Sequence, residues 1–195
     1  QPVSIQEARL NRIEVDVRST FSKKLGTTIT KKKNIINKNT IRGISFTKND
    51  AKITLLGVKD KPGVAASIFK PLYENSINVD MVVQNISSNS RETDLTFTIR
   101  LEDLIKTKKL LQNNKSIKFK KLIINKNVSK VSIVGVGMIT TPGVTYRMFK
   151  ALAKKKINIE VISTSEIKIS VLINKKNLKK SVEILHQEFK LNHNL

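Results

Sequence analysis

The chain has 195 residues, 39% of them hydrophobic, and a formal net charge of +22. That length holds one or two small domains with a real core, and with aromatics at only 5% the core must be built of Ile, Leu and Val. Cysteine is missing and histidine is limited to His186 and His193, which excludes disulfides, thiolate metal sites, a cysteine nucleophile and a histidine-rich metal centre, and argues against a Ser-His-Asp triad.

The charge invites a nucleic-acid reading. It is, however, spread evenly: residues 1–50 carry +7, residues 51–127 +7 and residues 128–195 +8, mostly as lysine among abundant Asn and Ile. Stacking aromatics and an arginine stripe are both missing. The excess reads as the amino-acid usage of an AT-rich genome rather than a nucleic-acid surface. No apolar run is long enough to span a membrane, and no charged-then-apolar leader opens the chain. It begins at Gln1 already inside what looks like structure, so the expectation is a piece of a longer cytoplasmic protein with no membrane partner.

Ser4-Ile5-Gln6-Glu7 has the spacing of a capping box and predicts a short helix to about Arg12. Ile13–Val17 alternates as a strand does, and Gly26 with the following threonines predicts a turn into another extended piece. Residues 1–30 are too few to bury a core alone and read as the trailing edge of a domain. Residues 31–40, KKKNIINKNT, read as a linker. Residues 41–49 open with a strand-like fragment, Ile41–Thr47, that places Ile44 and Phe46 on one face and has no sequence neighbour to pair with.

Two repeats follow. In the first, residues 50–127, Ala51–Val58 is an apolar strand. A Pro62-Gly63 turn leads into a helix with Val64, Ile68 and Leu72 on one face. Val79, Met81 and Val83 mark a second strand, and Leu95, Phe97 and Ile99 a third. Leu101, Leu104, Ile105 and Leu111 mark a second helix, and Ile117–Ile124 a closing strand. The order is βαββαβ. The second repeat supplies a strand at Lys130–Val136, a helix at Thr141–Lys156 after Pro142-Gly143, strands at Ile157–Ser163 and Ile167–Ile173, and a helix carrying Leu178, Val182, Leu185 and Phe189. Its fourth strand is missing, and Ile41–Thr47 is the obvious donor. The expected fold is therefore α+β: two ferredoxin-like βαββαβ modules, the first inserted in the second, which comprises residues 41–49 plus 128–195.

The first turn has the parts of an amino-acid site. Gly63 lets a ligand approach the backbone closely, and a helix opening there presents free N–H groups and a positive dipole end to a carboxylate. Asp60 and Asp80 could both approach the turn and hold an ammonium. Gln84 offers a donor and an acceptor, and small Ala65 leaves room. Lys61 flanks the turn. The plainer alternative is that Asp60 caps a helix and Asp80 ends a strand. The second turn, residues 137–143, is two residues longer and lacks the Asp. Thr145, Ser165 and Glu166 could instead line a shared site at a module interface, Glu166 suiting a lysine ammonium, or be ordinary surface polars. No residue presents itself as catalytic, and no set as a metal site.

Val58–Gly63 (VKDKPG), Ile77–Ser87 (INVDMVVQNIS) and Glu160–Ile167 (EVISTSEI) resemble the ACT family of amino-acid-sensing domains, most closely the tandem pair at the C-terminus of aspartokinases. Ser4–Ala8, Val17–Phe21 and Gly26-Thr27 resemble the end of that family's kinase domain. The resemblance implies effector contacts from Asp60, Ala65, Asn78, Val79, Asp80 and Gln84, with Ser87 in the same stretch. It implies lysine and/or threonine as effectors, and as partner a second copy through the ACT modules or a separate catalytic chain. It also implies feedback control of a kinase that converts ATP and L-aspartate to 4-phospho-L-aspartate. The family's kinase motifs, and the ATP and Mg that serve them, lie upstream, so the chain is expected to be regulatory only, with no cofactor of its own. The competing expectations are a stand-alone ferredoxin-like module that binds nucleic acid, and a purely structural dimerisation domain.

Overall fold

The computed structural model describes residues 2–22, 24–29, 41–86, 92–114, 116–135 and 141–191. The chain forms two compact units, residues 1–38 and 39–195. The first contains helix α1, Pro2–Leu10, and a hairpin of β1, Val15–Val17, with β2, Thr27–Ile29. The Thr28 hydroxyl donates to Asp16 at 2.5 Å and Arg18 adds an ion pair at 2.9 Å. The Thr28 hydrogen bond first, and Arg18 second, hold the Asp16 carboxyl below the usual range. The expected linker at 31–40 lies outside the described residues.

The second unit is organised by two long strands. β3 runs from Ile41 to Lys59, 19 residues, and α2 follows at Val64–Glu74. Then come β4, Val79–Ile86, and β5, Glu92–Arg100. A 3-10 turn at Leu101–Asp103 leads into α3, Leu104–Asn113. β6 spans Lys121–Gly135, 15 residues. α4 is Val144–Lys154, β7 Ile159–Ser165, β8 Lys168–Asn174 and α5 Leu178–Glu188. The six strands form one antiparallel sheet in the order β4-β5-β3-β6-β8-β7.

The sequence pattern divides β3 and β6 into four strands. In the structure each runs unbroken through both modules, and the polar stretches Lys48–Asp50 and Asn125–Asn127 are where register slips rather than where strands stop. Phe46 faces Val131 and Leu55 faces Leu122, with irregularities between Thr47 and Lys52. Such bulges admit an extra residue at the cost of a local kink. Ile41–Thr47 lies against Lys130–Gly135, completing the second βαββαβ set beside β6, β8 and β7. Lys121–Asn125 lies against Lys52–Leu56 and completes the first.

Three further expectations are corrected. The closing strand of the first repeat starts at Lys121, not Ile117; Ile117 is buried in the preceding loop, its amide bonded to the Asn114 carbonyl at 3.1 Å. Ile105 is 73% exposed, and Thr107 is buried with Leu104 and Leu111. Regular helical spacing makes 104, 107 and 111 the inward stripe and turns 105 outward. Ile167 is exposed in the turn before β8.

The helices cover one face of the sheet and enclose two cores. One gathers Ala51, Ile53, Leu55, Ile68, Leu72, Phe97 and Leu111, with Phe69 edge-on to Phe97 at 5.2 Å between ring centroids. The other gathers Val131, Ile133, Met148, Leu152, Val171, Ile173 and Leu185. Each fully buried side chain of this size contributes about 1.5–3 kcal/mol. On the opposite face the sheet curls until its edge strands β4 and β7 touch, over a smaller cluster of Met81, Val128, Val161 and Leu172.

Candidate functional site

Strand β3 ends at Lys59, and Asp60–Gly63 turns the chain into α2. Gly63 sits at φ 87°. A β-carbon there would touch nothing within 4 Å, so glycine is required by the left-handed backbone and not by lack of space. No side chain caps α2 and no acidic residue occupies its first turn. The Val64 amide returns to the Lys61 carbonyl at 3.3 Å, and the next first-turn amides, of Ala65 and Ala66, with the positive end of the helix dipole, face an outside acceptor.

Around this turn Val58, Asp60, Lys61, Gly63, Ala65 and Gln84 line a hollow of about 490 Å³, floored by Ile68 and Leu95. Gln84 reaches it from β4, its side-chain amide 3.5 Å from the Asp60 carboxylate. An anion-seeking helix end, a carboxylate and a neutral amide therefore face one open space that has room for a free amino acid. Five residues singled out from sequence, Asp60, Lys61, Gly63, Ala65 and Gln84, come together here.

The rest do not join them. The expected convergence of Asp60 and Asp80 is not found. Asp80 lies at the start of β4, where neighbouring Val79 pairs with Ile99, whereas Gln84 pairs with Leu95 and Lys59 with Glu92. Asp80 and Gln84 are thus about 13 Å apart along the strand. The reason is topological: α2 carries the chain back across the sheet, so β4 starts at the end opposite to where β3 stopped. Asp80 forms an ion pair with Lys130 of β6. Asn78 is exposed beside it and Val79 packs on the first core. Ser87 lies outside the described residues, as do residues 136–140 of the second turn. Gly143 repeats the left-handed opening at φ 89°. Thr145, Ser165 and Glu166 are all exposed, and the Ser165 hydroxyl donates to the Lys168 carbonyl at 3.3 Å.

Sequence reasoning missed Lys52 and Lys130, whose partners lie on distant strands. Lys52 pairs with Glu160 of β7 at 2.5 Å. Their equivalent position in the two repeats, one residue before Ile53 and Val131, was the available signal. Among the described residues no group of three or more acidic or imidazole side chains is gathered to hold a metal ion. No helix among them is long and apolar enough to cross a membrane.

The ACT domain model matches residues 53–114 and 131–189. An aspartate kinase of Pseudomonas fluorescens is 47% identical over 152 residues, 77% of this chain and 37% of the relative. An aspartokinase of Corynebacterium efficiens is 40% identical over 192 residues, 96% of this chain and 46% of the relative. The ligand-free regulatory subunit of aspartate kinase from Thermus thermophilus superposes with a TM-score of 0.72 at 34% identity, over 77% of this chain and 99% of that one. The chain thus spans less than half the length of the two curated relatives, but nearly the whole of a regulatory subunit. With two ACT modules sharing one sheet, it belongs to the ACT-containing regulatory region of the aspartate kinase family.

Proposed function

We propose that the hollow at Gly63 binds a free amino acid, lysine or threonine, and that this binding controls an aspartate kinase by feedback. The observation that carries the reading is the Asp60–Gln84 contact across an open hollow at an uncapped helix N-terminus. The ligand carboxylate takes the Ala65 and Ala66 amides in the first turn of α2, assisted by Lys61, and the α-ammonium takes Asp60. The side chain extends toward Gln84, over Ala65. Asp80, with Asn78 and Val79, lies at the other end of β4, its carboxylate engaged by Lys130, and is left out of the hollow in this reading. Thr145, Ser165 and Glu166, all exposed, would line a shared site at a module interface rather than a self-contained second site.

In this reading residues 1–30 belong to the end of a kinase domain and residues 31–40 link it to the sensors. The first module is residues 50–127, and the second residues 41–49 plus 128–195. The chain senses and does not catalyse; ATP, Mg and L-aspartate are handled by the catalytic part, in the same polypeptide or in a separate chain. A second copy is expected to join through the ACT modules. Effector binding shifts the kinase only if it favours one assembly over the other, with a coupling of about 1–3 kcal/mol.

The test is calorimetric affinity of Asp60→Ala and Gln84→Ala for whichever amino acid the unmodified chain binds. Removing a charge-assisted contact is worth about 1.5–3 kcal/mol, so Asp60→Ala is expected to weaken binding at least tenfold and Gln84→Ala less. Unchanged affinity in both variants would place the ligand elsewhere.

A further inference from the structure

The two repeats exchange charges. Lys52 stands one residue before Ile53 in the first module and Lys130 one residue before Val131 in the second. Asp80 follows Ile77-Asn78-Val79, and Glu160 follows Ile157-Asn158-Ile159. Each lysine ignores the acid of its own module. Lys52 pairs with Glu160 of the second, and Lys130 pairs with Asp80 of the first. Three of the four side chains are largely removed from water, Lys52 at 20%, Glu160 at 17% and Lys130 at 11% exposure, while Asp80 is 53% exposed. The Asn125 amide donates to both Glu160 oxygens, at 3.2 and 3.4 Å. Next to each acid stands an apolar residue, Met81 and Val161, and these meet with Val128 and Leu172 in the small cluster where the sheet edges touch.

We propose that these reciprocal ion pairs are a two-point brace that makes the two modules unfold, and respond, as one body. Helices α2 and α3 serve only the first core and α4 and α5 only the second, so the helical layer does not join the modules. The shared strands β3 and β6 do, but they slip in register at the boundary between modules. The ion pairs span that boundary on the opposite face. An ion pair of this kind adds little net stability over an apolar replacement, yet losing one partner strands the other charge. Its contribution is to fix one arrangement of the modules.

The experiment is native-state hydrogen exchange on this chain without ligand, following β5 amides for the first module and β8 amides for the second. In the unmodified chain both sets are expected to exchange through one shared opening. With Lys52→Met, Glu160→Gln, Lys130→Met and Asp80→Asn combined, the two opening constants are expected to separate at least tenfold. Shared opening in that variant would overturn the brace. Should the fourfold variant fail to fold, the cycle of Lys52→Met, Glu160→Gln and their double decides. A coupling of at least about tenfold in the unfolding constant supports the brace, and one below twofold overturns it. Neither arm depends on an effector, so the brace and the amino-acid reading stand or fall separately.

Discussion

Asp60 and Gln84 were each legible as a candidate ligand contact because both carry chemistry that a zwitterion needs, and because a Pro-Gly turn marks a helix start. Asp80 was legible as an acid of interest but not in its place. The βαβ order was already in hand, and it puts the start of β4 at the far end of the sheet from the turn; chemistry was matched without following the chain across. Lys130 shared its place in the repeat with Lys52, but nothing local says that this lysine of many meets an acid 50 residues away. At Ser76 and Lys156 the chain adopts left-handed backbone, φ 58° and 57°, at matching helix ends, and the next amides, of Ile77 and Ile157, return to the Leu72 and Leu152 carbonyls. Glycine or asparagine suits such positions better. Lys156→Gly is expected to raise stability by about 1 kcal/mol, that being the strain of a left-handed L-residue, read as a higher melting temperature; a lower one would contradict the assignment. Asp16 gives the pH dependence. Its carboxyl is lowered by Thr28 and Arg18, so its contribution to the β1–β2 hairpin is present above the ordinary carboxylate range and fades as pH falls through the lowered value. Thr28→Ala is expected to move the Asp16 titration upward in NMR, and no movement would show that the hydroxyl is not responsible.

At the scale of elements, apolar alternation found every sheet-forming stretch of the two repeats and amphipathic spacing found every helix. The ends were the weak point. Lys48-Asn49-Asp50 and Asn125-Lys126-Asn127 carry the composition of loops, yet they stay in strands because each lies beside a paired neighbour and resolves its mismatch by a bulge. Tertiary pairing overrides local composition there. Thr107 rather than Ile105 faces inward because helical spacing places 107 between Leu104 and Leu111 and turns 105 away from them, so position outweighs side-chain polarity there. Ile41–Thr47 pairs with β6 beside the second core. Deleting residues 40–48 is therefore expected to cost protection first at β7 and β8 amides in hydrogen exchange. Loss at β4 and β5 with β7 and β8 intact would contradict the pairing.

For the whole molecule, one sheet carries two separate cores. Leu72→Ala empties the first and Met148→Ala the second, each at about 2–5 kcal/mol. If the modules act as one body, both substitutions lower the same unfolding transition by comparable amounts. Each core stops at the sheet, whereas the hollow opens beside the first one, on the turn that feeds α2. The central claim is that this hollow receives a free amino acid, and calorimetric titration of the unmodified chain with lysine and with threonine, separately and together at millimolar concentration, tests it most directly. A saturable heat with at least one of them, with a matching rise in melting temperature, is the expected result. No heat and no thermal shift with either would contradict it.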